Sequence, residues 1–154
     1  MRFAADSSAL VSLYCPNNKT EGLITFLAED PKCISVSELA QVEVLNVLLR
    51  QDTETPARQF QSDLEEGIRL KLETVDWPDA FQQAESLARR FSRALRPGGH
   101  DLVLVAAALT MGASWFLSFD RASHQRTLAA AAGLKVWPPL DKEERGLARH
   151  AASK

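Results

Sequence analysis

Four carboxylates carry most of the chemistry this sequence can offer. Asp6 ends the apolar run Phe3-Ala4-Ala5, and Asp120 ends Trp115-Phe116-Leu117-Ser118-Phe119. Asp101 stands at the mouth of the stretch Leu102 to Leu109, and Glu43 lies inside Leu39-Ala40-Gln41-Val42-Glu43-Val44-Leu45. Carboxylates gathered in one cleft raise one another's pKa and stay ionised together only if a cation compensates them. Without Cys or clustered His beside them, hard oxygen donors select Mg2+ or Mn2+. Such an ion, held by a few carboxylates and waters, serves phosphoryl chemistry. It polarises a phosphate, lowers the pKa of an attacking water and steadies the leaving oxygen.

Each acid also has a plainer reading. Asp6 and Asp120, taken singly, are explained by capping of the helix that follows a strand. Asp101 fits the positive end of its own helix, but that helix is apolar on nearly every face and reads as central and buried. Its first turn must then face a cleft, and Gly98-Gly99 lets backbone approach closely there. Helical spacing surrounds Glu43 with Leu39, Val42, Asn46 and Val47 on one face. A glutamate centred on an apolar face needs a partner. A metal or partner is one answer, and a pair with Arg50 or another arginine is the other. Asn46 is a second polar group on the same predicted face.

The elements that position these residues follow from hydrophobic spacing and from Gly, Pro and cap signals. Strands are predicted at 2–5, 33–36, 72–75, 114–119 and 134–137. Helices are predicted from Ser7 to before Pro16, over 18–29, from an N-cap at Ser37 to about Gln51, over 55–70, from Asp79 to Leu95, from His100 to Gly112, and from 122 to Ala132 with Gly133 closing it. Asp30-Pro31 reads as a turn. Residues 1–140 form one domain, and 141–154 read as a charged tail, a frayed helix or disorder. Short apolar strands alternating with helices predict an α/β/α sandwich around a mainly parallel sheet of four or five strands. Ligands bind at the carboxyl ends of such strands, where Asp6 and Asp120 fall.

Composition narrows the classes of function. The 154 residues suffice for one core, and a net charge of −2 excludes bulk electrostatic binding of nucleic acid. Cys15 and Cys33 match no zinc or CxxC spacing and read as free thiols. No apolar run approaches the ~18 residues of a membrane span. The acid at position 6 interrupts any signal-peptide core, so the cytoplasm is the expected location. No GxGxxG or P-loop follows a strand, which argues against a nucleotide cofactor.

The order of strand-Asp6-Ser7-Ser8-Ala9-Leu10, a helix carrying Glu43, Gly98-Gly99-His100-Asp101-Leu102 and Phe116-Leu117-Ser118-Phe119-Asp120 resembles the PIN-domain family, in particular its VapC-type toxin ribonucleases. The resemblance covers residues 2 to about 137. It implies a metal-dependent endoribonuclease in which Asp6, Glu43, Asp101 and Asp120 hold Mg2+ or Mn2+ and activate water, with Ser7 and Ser118 supporting them. It also implies an RNA substrate of the tRNA or rRNA class, a homodimer, and a cognate antitoxin whose C-terminal segment lies in the active-site groove. Many members carry a further Asp or Asn shortly after the fourth acid. Here Arg121 to Arg126 contains none, which points to one strongly held ion. His124 reads as an exposed or capping residue.

Arg89, Arg93 and Arg96 share a helix face just before Asp101, and Arg121 follows Asp120. They are the candidate RNA-phosphate contacts. A solvated face paired with Glu85 explains the same stripe equally well. Trp77, Trp115 and Trp137 read as core or interface residues. The apolar positions Leu10, Leu13, Leu23 and Phe26 could furnish a dimer face or serve ordinary packing. The competing readings are a catalytically silent, protein-binding module on the same fold and a phosphoacceptor domain. The second lacks the paired acids after the first strand.

Overall fold

The computed structural model describes residues 1–29 and 32–154; the expected turn at Asp30-Pro31 lies outside the described residues. In chain order the elements are β1 (Phe3–Ala5), α1 (Ser7–Tyr14), α2 (Thr20–Ala28), β2 (Ile34–Ser37), α3 (Glu38–Leu48), α4 (Thr55–Glu66) and β3 (Leu70–Glu73). They continue with α5 (Trp77–Leu95), α6 (Gly99–Thr110), β4 (Trp115–Leu117), α7 (Gln125–Ala131), β5 (Lys135–Trp137) and α8 (Lys142–Ala152). The five strands are all parallel and ordered β3-β2-β1-β4-β5. β1 is central, with Phe3 opposite both Ile34 and Trp115.

Strand alternation divides the interior into two cores. Phe3, Ala5 and Leu117 face one side with Leu10, Leu23, Val44 and Phe60 from α1 to α4. Ala4 and Phe116 face the other with Leu87, Phe91, Val105 and Leu128 from α5 to α7. The result is the expected three-layer sandwich. Several helix starts are written locally: Asp6 accepts from Ala9 N, Ser37 from Ala40 N and Asp76 from Asp79 N. Gly133, at φ 100°, takes the left-handed position that ends α7.

Several expectations change. β3 begins at Leu70, two residues before the predicted start, and takes the end of the predicted fourth helix. Gly67, at φ 67°, stops α4 early. Leu10 and Leu23 are fully buried in this chain's own core, so they cannot offer a face to a second copy.

The largest change is the C-terminal segment, which is neither frayed nor disordered. Asp141 and Glu144 form a reciprocal capping box at the start of α8. Ala148 and Ala151 are buried as the helix packs on α7 and α5. Its anchor is Arg126, which is 1% exposed. The guanidinium donates to Glu144 Oε1 at 2.8 Å, to Pro138 O at 2.8 Å and to Ser118 O. Burial pushes the Glu144 carboxyl up, but Arg126 and the Asp141 amide more than offset this and hold it below the usual range.

Removing one partner of a buried ion pair strands the other charge. Glu144→Ala is therefore expected to lower unfolding free energy by about 3 kcal/mol, read as a shift in urea midpoint. Because the native carboxyl is held low, its contribution is complete above the ordinary glutamate range and fades as pH falls through the native value. A variant as stable as wild type would show that the carbonyls alone satisfy Arg126.

Candidate acidic active site

Asp6 is 3% exposed at the end of β1. Its Oδ1 accepts from Ser8 Oγ at 2.6 Å and Ala9 N at 3.1 Å, and its Oδ2 accepts from Ser118 Oγ at 2.6 Å. Burial drives its pKa up; these donors and the nearby charge of Asp120 act in opposite directions, and the net shift is upward. Ser118 follows β4 and bridges two acids, because its Oγ also accepts from Asp120 N at 3.1 Å. Ser8 Oγ accepts from Phe119 N at 2.9 Å and so joins the same two strand ends from the other side.

Asp120 is half-buried. Its Oδ1 accepts from Ala122 N at 3.0 Å and Ser123 N at 3.3 Å, and its Oδ2 from Ser123 Oγ at 2.9 Å. Asp101 is 8% exposed in the first turn of α6. Its Oδ2 accepts from Gly98 N at 3.0 Å, and its Oδ1 accepts from Gln125 Nε2 at 3.2 Å. It therefore caps its helix and also reaches across to α7. A Cβ at Gly98 would stand 3.0 Å from Asp101 Oδ2, which explains the missing side chain there.

Glu43 sits at the edge of α3's buried face, not at its centre. Ala40, Val44 and Leu48 form that face, while Val42 is 63% exposed and Asn46 is exposed. Asn46 therefore lies outside the cluster. The partner of Glu43 is an imidazole, not an arginine: His100 pairs with Oε1, whereas Oε2 is buried without a hydrogen-bond partner. Burial is the main reason its pKa is raised. The charges of Asp6 and Asp101 add to the rise, while His100 and Ser7 oppose it. Glu43 thus feels two of the other acids, and Asp6 feels the third. The four carboxylates share one end of the sheet.

Among the described residues, no three His, Cys, Asp or Glu side chains are arranged to hold a metal ion. The fit with a divalent cation lies in the chemistry of the donors. They are all oxygen, they repel one another, and one buried oxygen is unpartnered. Asp6, Asp101 and Asp120 each accept two or three hydrogen bonds from protein donors and keep a lone pair to share.

The expected arginine stripe lies elsewhere. Arg89 and Arg93 line a groove with Arg90 and His150, and none of the four acids lines it. Arg89 also pairs with Glu85 at 2.6 Å, the solvated alternative. Arg96 is an exposed left-handed cap of α5, and Arg121 pairs with Asp141 at 3.1 Å. His124 is exposed before α7, where its carbonyl accepts from Thr127 Oγ1. Sequence reasoning missed Ser8, His100, Gln125 and Arg126. Ser8 and His100 stand beside named acids and could have been found there. Gln125 and Arg126 carry no signal beyond polarity.

A model of the PIN domain matches residues 4–146, and the chain belongs to that family. Its structure is similar to VapC20 of Mycobacterium tuberculosis, a sarcin-ricin loop cleaving toxin, at 18% identity and TM-score 0.64 over 87% of this chain and 98% of that one. It is also similar to VapBC2 from Rickettsia felis, solved with a promoter DNA fragment, at 16% identity and TM-score 0.62 over 92% and 100%. A third is FitAcB from Neisseria gonorrhoeae, at 15% identity and TM-score 0.58 over 89% and 97%. Identities this low establish likeness of fold. Among curated proteins no sequence match is found. Among the described residues no helix is long and apolar enough to cross a membrane.

Because the native pKa of Glu43 is raised, its contribution to stability is complete below the ordinary glutamate range and is lost as pH rises through the native value. Glu43→Gln is expected to be more stable than wild type by about 1 kcal/mol at neutral pH, the cost of one orphaned buried oxygen. Melting curves across pH should show that advantage vanish in acid. A difference independent of pH would contradict the raised pKa.

Proposed function

We propose that this protein is a metal-dependent endoribonuclease and the toxin of a type II toxin–antitoxin pair. The observation that carries the proposal is the crowding of Asp6, Glu43, Asp101 and Asp120, with one oxygen of Glu43 buried and unpartnered. The membership in the PIN family supports it, as does the likeness in fold to a toxin described as cleaving the sarcin-ricin loop. The VapBC2 likeness supports a cognate antitoxin as partner. The substrate class expected is structured RNA of the tRNA or rRNA type.

In this reading the four acids would hold Mg2+ or Mn2+, which when bound polarises the phosphate and makes a water acidic enough to attack it. The chain's own residues do the rest. Ser8 and Ser118 fix the Asp6 carboxylate, and Gly98 and Gln125 fix that of Asp101. Glu43 Oε2 is the position at which a proton or a cation relieves a buried negative charge. Arg121 can meet a phosphate by exchanging its exposed partner Asp141, because such surface pairs are weak.

The test is cleavage of total cellular RNA with Mg2+ or Mn2+, with and without EDTA. Wild type is expected to cut only with the metal, and Asp6→Asn and Asp101→Asn each to lose about a hundredfold or more in rate. Mapping the cut ends names the RNA. Absence of cleavage with either metal overturns the proposal in favour of a protein-binding PIN module.

A further inference from the structure

A second feature stands beside the acids and is different in chemistry. A cavity of about 400 Å3 is lined by Asn18, Lys19, Phe119, Arg121, Trp137 and Pro138. Phe119 and Arg121 are the residues on either side of Asp120. The backbone of Phe119 is tied to Ser8 and through it to Asp6, at 2.9 and 2.6 Å. No carboxylate lines the cavity; two aromatic rings and three cationic side chains do, of which Lys19 and Arg121 are exposed. From these observations we infer that it receives one unpaired nucleotide of the RNA, its base on the Phe119–Trp137 wall and its phosphate beside Lys19 and Arg121.

The inference rests on the ribonuclease reading and names the strand state that the substrate must have next to the cut. The wall is fixed in advance. Trp137 stacks on Phe26 at 4.6 Å between ring centroids and 18° between planes, and Phe119 meets Trp137 nearly edge-on at 5.8 Å and 70°. Lys19 Nζ lies 5.2 Å from the Phe119 centroid, so that ring face meets only an exposed side chain. A base stacks on such a face, and the displaced ammonium can turn to the phosphate that the base carries. Arg126 also lines the cavity, but its donors are spent on Ser118, Pro138 and Glu144, so it is wall and not ligand. Aromatic faces interleaved with cations are the means by which proteins hold single-stranded RNA, whereas a duplex keeps its bases stacked and unavailable. The volume lies within the range of about 300–1,000 Å3 typical of small-ligand sites.

The experiment measures binding of a short fluorescein-labelled single-stranded RNA to the full chain in EDTA, by fluorescence anisotropy. Phe119→Leu keeps an apolar contact to Trp137 and removes the π face; it is expected to weaken binding about tenfold, and Phe119→Tyr to restore it. Lys19→Gln is expected to lower the slope of affinity against log salt by about 0.7, one phosphate contact. The same RNA as a duplex should bind more weakly and ignore Phe119→Leu. Melting temperatures of the variants separate a binding loss from a folding loss. Equal binding by wild type and Phe119→Leu, or no binding by wild type, overturns the subsite. Metal-dependent cleavage by wild type with unchanged binding by Phe119→Leu leaves the nuclease standing without it. Weakened binding in a chain that cuts no RNA leaves the subsite standing and removes the nuclease.

Discussion

A carboxylate buried at the end of a central parallel strand has no water to stabilise its charge, and much of this structure answers that constraint at Asp6. Two hydroxyls and one amide reach it, from Ser8, Ser118 and Ala9. Each donor must itself be held. Ser8 is fixed by the Phe119 amide, and the Ser118 backbone carbonyl is fixed by Arg126. Arg126 in turn is buried and needs Glu144, which exists in place only because α8 folds onto α7. The chain of dependence runs from β1 through β4 and α7 to the last helix. This makes α8 part of the support of the site although it touches none of the acids.

Even so, the donors do not fully compensate. The pKa of Asp6 remains raised, and that of Glu43 as well. Charge-assisted hydrogen bonds are strong, but burial and mutual repulsion outweigh them here. A fold that needed only packing at this edge would be at least as stable with neutral residues in these positions. The retained electrostatic cost is therefore an argument for chemistry, and perturbed carboxylates in a shared cleft are its usual mark. His100 compensates part of it by pairing with Glu43, but one imidazole meets one carboxylate of four.

What could be read from the sequence was what local rules govern. The strand-helix alternation, the caps at Asp6 and Ser37, and the turn glycine at 133 indicate the layers and their order. The acids at strand ends could be named because parallel sheets place ligands there. What could not be read depended on pairing at a distance. Arg126 looks like any surface arginine until Glu144 arrives from α8, and the charge of residues 141–154 masks the alanines that bury it. The face of Glu43 was misplaced because α3 is apolar on too many sides for spacing to choose among them; packing buries Ala40 and Val44 and leaves Val42 and Asn46 outside. The sequence points to an arginine as its partner, whereas the side chain that reaches it is the imidazole of His100, the neighbour of another acid.

An acidic cluster on a chain of net charge −2 poses a problem for any polyanionic substrate. Carboxylates that would attract a divalent ion repel phosphates, and without local cations the approach of RNA would be opposed before any metal was shared. The structure places cations in two cavities that none of the four acids lines. Lys19 and Arg121 line the aromatic cavity with Phe119, the neighbour of Asp120, and Arg89, Arg90 and Arg93 line a groove with His150. Neither cavity contains one of the four acids, so neither loses its cations to them. In the ribonuclease reading, phosphates would be held at these cations while only the phosphate to be cut faced the carboxylates. On that reading affinity would rest on residues outside the acidic site, and the acids would act on one bond.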